Sequence, residues 1–349
     1  MGHFRQKKSI AIDVMGAENG CREVILGVKL ALDEYPNLDS IKLVGSQAVL
    51  QEESKKIGIF SQVEIEDAPD VVGMDEKPLQ SVKKKKNSSI MRGIELVQSK
   101  RCDLFLSCGN TGVLMAGSTI KLRPLPLLKK PALASVIPTR EHHFVLIDAG
   151  ANPDSTPTQM LHNGILGSSY AKFGLGISNP RVGILTIGTE KGKGNDLITK
   201  AHELYQKENH QLNYIGLMEG FQVFENHCDV VVCDGFTGNI VLKVAEGLFG
   251  MLKNYVKDEL QASFRNRLGA FLSMPAYRNI KKRLNPEIYG GAPLMGLGGY
   301  VMKAHGSSNR YHIKNALRIS SEVIKHDLNK HIINELESIN PNLTVAQVP

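Results

Sequence analysis

Two short segments combine glycine with small polar residues immediately before a helix-like run. Residues 109–112 (GNTG) follow an apolar run, and residues 305–309 (HGSSN) precede a helix that begins near Tyr311. Glycine lets a backbone approach a ligand closely, and successive N–H groups at a helix start bind anions. Taken alone, each segment fits an ordinary capped turn equally well, and His305 also fits a structural hydrogen bond. Both segments are therefore candidate oxyanion sites.

A third glycine-rich segment, residues 188–195 (GTEKGKGN), adds positive charge at the end of an apolar run. It is not a P-loop, because that motif has four residues between its first glycine and the Gly-Lys pair, and here there are three. The dinucleotide pattern G-x-G-x-x-G does not occur in the sequence either. Nucleotide binding is thus weakly supported, and we predict a flexible cationic loop suited to an anion.

Seven apolar runs alternate with helix-like segments, which predicts a mostly parallel sheet covered on both faces. The runs are residues 9–16, 41–46, 103–109, 132–138, 144–150, 181–188 and 229–235. Most end in Asp or Gly, such as Asp13, Asp148 and Asp234, and any single one of these is typical of a tight turn. Because ligands of open parallel sheets bind beyond the carboxyl ends of strands, we predict a doubly wound α/β fold whose polar strand ends gather at one edge.

Residues 260–283 form a different feature, an amphipathic helix with a basic flank. The apolar residues that share its face are Phe264, Leu268, Phe271 and Leu272. An apolar face with cationic neighbours is typical of a helix lying on an anionic membrane. A helix packed in a dimer interface explains the same pattern at least as well.

The composition of the chain argues against several classes of protein. The five cysteines are odd in number and form no C-x-x-C pair, which favours a reducing cytoplasm over a disulfide framework or a zinc site. No run approaches the roughly 18 apolar residues of a membrane span, and the basic start of the chain lacks the pattern of a signal peptide. The net charge of +7 indicates an acidic partner, but the chain has no Trp and no basic-aromatic platform, so nucleic acid is not expected.

These segments together resemble one family. The chain is similar, nearly end to end, to the bacterial phosphate acyltransferases that act on acyl carrier protein. The segments that carry the resemblance are IAIDVMG, DEKPLQSVKKKKNSS, SCGNTGVLMA, IDAGAN, ILTIGTEKGKGN, CDGFTGNIVLKVAEG and YGGAPLMGLGGYVMKAHGSSN. The chain departs from the family's pattern at Ala17, Glu18, Lys83 and Thr186, and Lys for Arg at position 83 changes how a phosphate could be bound.

The resemblance implies a Rossmann-like, three-layer sandwich similar to isocitrate and isopropylmalate dehydrogenases, with residues 260–283 as a helical projection. It implies one domain over residues 1–349, a homodimer, no cofactor, no metal, and a cytoplasmic enzyme attached peripherally to an anionic membrane surface. The implied reaction moves a long-chain fatty acyl group from acyl carrier protein to inorganic phosphate. A glycerol-3-phosphate acyltransferase, the downstream partner, would then use the acyl phosphate for phospholipid synthesis.

This reaction assigns roles to the chemistry-bearing residues as hypotheses. Phosphate is already a competent nucleophile and a thiol leaves readily, so the site must mainly position the reactants and stabilise an oxyanion. The residues expected to bind phosphate are Asn110, Thr111, Gly112, Gly194, Asn195, Ser307 and Ser308. The residues expected at the reacting groups are Lys193 (charge), Asn239 or Asn195 (carbonyl donor), His305 (phosphate or leaving sulfur) and Asp234 (orienting a lysine or asparagine).

Three other functions are compatible with parts of the sequence. A phosphotransacetylase acting on coenzyme A thioesters would use the same chemistry. A membrane-associated scaffold without activity would need only residues 260–283. A nicotinamide-dependent decarboxylating dehydrogenase would need a metal-binding aspartate cluster and a nucleotide motif, and neither pattern occurs in the sequence.

Overall fold

The structure, a computed structural model, describes residues 8–36, 38, 40–190, 193–208, 212–283 and 289–339; the side chains of residues 281–283 lie outside this description. Residues 191 and 192 of the predicted cationic loop also lie outside it.

The seven apolar runs form seven of the strands of one mixed sheet. The strands are β1 (Ser9–Asp13), β2 (Ser40–Gly45), β3 (Val63–Asp67), β4 (Leu104–Ser107), β5 (Ala132–Pro138), β6 (His143–Ile147), β7 (Val182–Thr186), β8 (Tyr214–Glu219), β9 (Val230–Val232), β10 (Ala292–Met295) and β11 (Tyr300–Lys303). Their order across the sheet is β3-β2-β1-β4-β11-β10-β5-β6-β9-β7-β8. The late pair β10 and β11 therefore lies in the middle of the sheet.

Helices cover both faces of this sheet. They are α1 (Cys21–Glu34), α2 (Gln47–Ile57), α3 (Pro78–Lys84), α4 (Ser89–Gln98), α5 (Thr111–Leu122), α6 (Pro157–Ser169), α7 (Asp196–Lys207), α8 (Gly235–Gln261), α9 (Phe264–Leu272), α10 (Met274–Arg283), α11 (Arg310–Lys325) and α12 (Leu328–Ile339). One face packs α1, α2, α6, α7, α11 and α12 into a single large core. The opposite face packs α3, α4 and α5 over one cluster and the start of α8 over another. The predicted doubly wound α/β fold is confirmed.

The prediction that all polar strand ends gather at one edge is wrong. Strands β1, β2, β3, β4 and β11 are mutually parallel, but β5 and β6 form an antiparallel pair, and β6, β9, β7 and β8 continue in the reversed direction. The reversal occurs in the short connection between β5 and β6, where the N–H of Thr139 donates to the carbonyl of His142. We call the carboxyl ends of β1, β4 and β11 the first edge, and those of β6, β7 and β9 the second edge.

The segment predicted as a helical projection consists of α9 and α10 together with the last residues of α8. None of the described residues of α9 is buried, and most of the second half of α8 is exposed. Among the described residues, no helix is both long enough and apolar enough to cross a bilayer.

Candidate active site

Three polar side chains lie next to one another at the first edge. Asp13, Ser107 and Lys303 occupy matching positions of β1, β4 and β11. The preceding residues, Ile12, Leu106 and Met302, point into the large core beneath α1 and α11. Because successive side chains of a strand point to opposite faces, Asp13, Ser107 and Lys303 point to the face covered by α5 and α8. The Ser107 hydroxyl donates to Asp13 Oδ2 at 2.7 Å, and burial raises the pKa of the Asp13 carboxyl above its usual value.

Lys303 was not singled out in the sequence, although only Ala304 separates it from the 305–309 segment. Its ammonium donates to the carbonyl oxygen of Cys108 at 3.4 Å and to that of Ala304. Burial lowers the pKa of Lys303, and the nearby ammonium of Lys243 acts in the same direction, against the carboxylates of Asp13 and Glu18. The first edge thus holds a largely buried cation between its loops.

The predicted anion site at residues 109–112 is a helix start held by its cap. Asn110 Oδ1 accepts from the N–H of Val113 at 3.0 Å, and Nδ2 donates to the carbonyls of Gly73 and Met74 at 3.1 and 2.7 Å. The amide of Asn110 is therefore engaged in binding a neighbouring loop. The groups left to contact an anion are the backbone N–H groups and the exposed Thr111 side chain of the first turn.

The second predicted anion segment forms a turn around His305. Its Nδ1 accepts from the N–H of Ser307 at 3.2 Å and lies 2.8 Å from the Ser307 hydroxyl. The proton of a neutral His305 ring consequently resides on Nε2, which is available to donate. The Ser308 side chain is buried, and its hydroxyl has no hydrogen-bond partner among the described residues.

The loops that follow β1, β4 and β11 contact one another. A Cβ on Gly16 would lie 2.5 Å from the Cα of Gly109, so the backbones meet at a distance that only glycine permits. The N–H of Glu18 donates to the carbonyl of Gly306 at 2.9 Å, and the Asn19 amide donates to the carbonyl of Ser307 at 2.8 Å. The structure thus brings residues 109–112 and 305–308 to one edge.

The remaining predicted residues belong to the second edge. Asp234 caps α8 by accepting from the N–H and hydroxyl of Thr237, at 2.9 and 2.7 Å. Asn195 caps α7 by accepting from the N–H of Ile198 at 3.0 Å, while Lys193 is exposed. Gly194, at the end of the same loop, has a φ of +91°, which favours glycine. These positions explain the local helix starts, and their contribution to a reaction stays a prediction.

Helix α8 connects the two edges. It begins at the second edge, where the Asn239 side chain lies beside Gly150, within 3.3 Å of the place a Cβ would occupy. One turn later, Lys243 comes close enough to Lys303 to lower its pKa. The two hydrophobic clusters of this face are separate, and Ala151 packs against both. The strip of sheet between α5 and α8 is therefore where groups from the two edges could converge on one ligand.

The cysteines are poorly suited to act as nucleophiles. Burial raises the pKa of Cys108, beside the 109–112 segment, and that of Cys228 to about 12. It also raises the pKa values of Cys21, Cys102 and Cys233. A thiolate, the reactive form, is disfavoured at each of them.

The fold and the first edge define a class: a doubly wound α/β protein with helix starts, a buried ammonium and a histidine that converge on one edge. The fatty acid synthesis protein family matches residues 8–331. A phosphate acyltransferase of Halothermothrix orenii is 39% identical over 93% of this chain and 96% of its own length. One of Pelotomaculum thermopropionicum is 40% identical over 95% of each chain. The chain therefore belongs to the phosphate acyltransferase family, a family of acyltransferases.

Solved structures share the fold. A phosphotransacetylase from Streptococcus pyogenes superposes with a TM-score of 0.60 at 17% identity, covering 92% of this chain and 95% of that one. The EutD phosphotransacetylase from Staphylococcus aureus gives a TM-score of 0.57 at 14% identity, with 91% and 94% covered. At these identities the likeness concerns the fold alone.

Proposed function

We propose that the protein transfers a long-chain fatty acyl group from acyl carrier protein to inorganic phosphate, and that the acyl phosphate then serves glycerol-3-phosphate acylation in phospholipid synthesis. The observation that carries this proposal is the near full-length match to phosphate acyltransferases at 39–40% identity. The first edge supports it, because helix starts and a buried ammonium suit an anionic substrate.

The chemistry needs little more than positioning. A phosphate oxygen attacks the thioester carbonyl carbon, the C–S bond breaks, and the carrier's sulfur leaves as a thiol after taking one proton. A thiol with a pKa of about 8.5 leaves without a strong acid. The Nε2 proton of His305 fits a donor to that sulfur or to phosphate, and Asn239 or Asn195 fits a donor to the carbonyl oxygen. Asp234 contributes by fixing the start of α8.

The test is to incubate the protein with phosphate and acyl carrier protein thioester and to trap acyl phosphate with hydroxylamine. We expect a hydroxamate product that requires phosphate. If acyl-CoA proves a much better donor than the carrier thioester, the protein is a phosphotransacetylase-type enzyme, as its fold also allows. If neither donor gives hydroxamate, a non-catalytic scaffold becomes the better interpretation.

Replacing Lys193 by alanine should lower acyl phosphate formation at least about tenfold, the effect of losing roughly 1.4 kcal/mol of transition-state stabilisation. The reason is that the proposal assigns this exposed ammonium the role of supplying charge to phosphate or to the oxyanion. Lys200→Ala is a matched control, because Lys200 is also exposed and lies on α7 just beyond the same loop. Unchanged turnover in a folded Lys193→Ala protein would remove this residue from the site.

Two exposed apolar surfaces support the proposed homodimer and membrane attachment. On α8, large apolar side chains recur every three or four residues, the spacing of a helix–helix seam. They are Phe236, Ile240, Val244, Leu248, Met251 and Tyr255. On α9, the side chains of Phe264, Leu268, Phe271 and Leu272 are each more than half exposed, beside Arg265 and Arg267. We infer that the α8 stripe packs against a second copy, and that α9 lies on an anionic bilayer as part of a cytoplasmic, peripherally attached enzyme.

Charge placed on each surface should separate these two roles. Phe271→Glu with Leu272→Glu should abolish co-sedimentation with vesicles containing anionic lipid and leave the mass in light scattering unchanged. Val244→Glu with Leu248→Glu should halve that mass, because two charges would be buried in the seam. If the first variant still binds vesicles, the role of α9 in membrane attachment is rejected. If the second variant keeps the mass of the parent protein, the role of α8 in dimerisation is rejected.

A further inference from the structure

We propose that Lys303 is a phosphate-binding residue, whose ammonium is the counter-charge of inorganic phosphate at the first edge. This inference rests on the proposed function, and it adds a residue to which the sequence analysis assigned no role.

The first argument is an unbalanced buried charge. An ammonium has three donors, and the structure gives two of them to the carbonyl oxygens of Cys108 and Ala304. Among the described residues, Lys303 forms no ion pair with a carboxylate. Burying an uncompensated ammonium is costly, and the lowered pKa of Lys303, with burial as its main cause, expresses that cost. A bound anion would supply the missing negative charge.

The nearby carboxylates do not fill this role. Asp13 and Glu18 both act on Lys303, but only at a distance beyond an ion pair. Asp13 accepts from the N–H groups of Met15 and Gly16 and from the Ser107 hydroxyl. The Asp13 carboxylate is therefore already engaged by donors other than the Lys303 ammonium.

The second argument is position. Lys303 lies two residues before His305, and its ammonium donates to the carbonyl of Cys108, which lies two residues before Asn110. Its ammonium therefore lies between the two helix starts that were predicted to bind phosphate. The buried hydroxyl of Ser308, which has no partner among the described residues, is a further polar group in this turn that fits an oxyanion ligand. Lys243 on α8 also acts on Lys303, although its own ammonium pairs with Glu246 at 2.8 Å.

A purely structural role is the alternative, because Lys303 could simply tie together the loops after β4 and β11. Lys303→Gln tests this alternative, since a side-chain amide can still donate to a carbonyl but carries no charge. Lys303→Arg keeps the charge. Lys42→Met is a matched control, because the Lys42 side chain on β2 is only 12% exposed and pairs with Glu64, away from the first edge.

We expect Lys303→Gln to lower kcat/KM for phosphate at least about thirtyfold, as for the loss of one buried charge-assisted hydrogen bond, and to leave KM for the acyl thioester within about twofold. Lys303→Arg should recover part of this loss. Lys42→Met should change stability without changing KM for phosphate. A folded Lys303→Gln protein with an unchanged kcat/KM for phosphate overturns the proposal, and so does an equal loss for both substrates.

Binding measured without turnover separates this inference from the proposed function. Inorganic phosphate alone should raise the Tm of the parent protein and of Lys42→Met, but not that of Lys303→Gln. If no acyl donor reacts and this difference persists, the proposed reaction fails and the Lys303 site stands. If acyl transfer occurs but phosphate raises the Tm of Lys303→Gln as much as that of the parent, the Lys303 site fails and the reaction stands.

Discussion

Replacing Asp148 by alanine should lower the free energy of unfolding by about 4 kcal/mol, because it removes the carboxylate acceptor of five donors, one buried and four partly buried. The Asp148 side chain is fully buried. Its Oδ1 accepts from the N–H groups of Leu133, Gly150 and Ala151 at 3.1, 3.1 and 2.7 Å. Its Oδ2 accepts from the backbone and side-chain N–H groups of Asn152, both at 2.8 Å. Burial raises the pKa of this carboxyl, and these donors oppose the rise.

The consequence would extend to α8. The N–H of Gly235 donates to the carbonyl of Asn152 at 2.9 Å, and a Cβ on Gly238 would lie 1.9 Å from the carbonyl oxygen of Asp148. The loop held by Asp148 is therefore the surface on which the first turn of α8 rests. A loosened loop should also displace Asn239 and reduce acyl transfer.

Urea unfolding, followed by circular dichroism, measures the effect. Asp154→Ala is the control, because Asp154 lies exposed in the same connection and should change stability by less than about 0.5 kcal/mol. Asp148→Asn should be intermediate, since one oxygen remains an acceptor while the amide opposes the N–H groups beside it. A loss below about 1 kcal/mol in Asp148→Ala would mean that the loop is held by other contacts.

The strands that the sequence predicted are those buried on both faces. The runs containing β1, β2, β4 and β7 are short, apolar and rich in β-branched residues, which is the pattern of an interior strand. The edge strand β3 was missed because its charged residues alternate with apolar ones (VEIED). The central strands β10 and β11 were missed because they lie in a glycine-rich stretch, residues 290–299, and β10 contains a proline.

The parts of the candidate site that consist of residues adjacent in the sequence were predictable. The helix starts at residues 109–112 and 305–309 carry their own glycines and caps, so both were recognised. Lys303 is different, because its position beside Ser107 depends on β11 pairing with a strand almost 200 residues earlier in the chain. The separation of the two edges likewise depends on strand direction. The sequence signal for that reversal was the five-residue connection between the runs 132–138 and 144–150, which is short enough for a hairpin.

Replacing Gly16 by alanine should reduce kcat/KM for phosphate about a hundredfold, because it separates the loops after β1 and β4. The new Cβ would lie 2.5 Å from the Cα of Gly109 and 2.7 Å from its nitrogen. Both are backbone atoms, so the clash cannot be relieved by rotating a side chain. A displacement of about 1 Å in the helix start at residues 109–112 is enough for an effect of this size on a reaction that depends on positioning.

Stability and activity should respond to this change by different amounts. Overpacking at one position costs about 1–3 kcal/mol, so the Gly16→Ala protein should still fold in a thermal unfolding experiment. Gly220→Ala is the control, because a Cβ there would meet nothing within 4 Å. If a folded Gly16→Ala protein forms acyl phosphate within about threefold of the parent rate, the loops after β1 and β4 do not position the phosphate, and the reaction must use groups of the second edge instead.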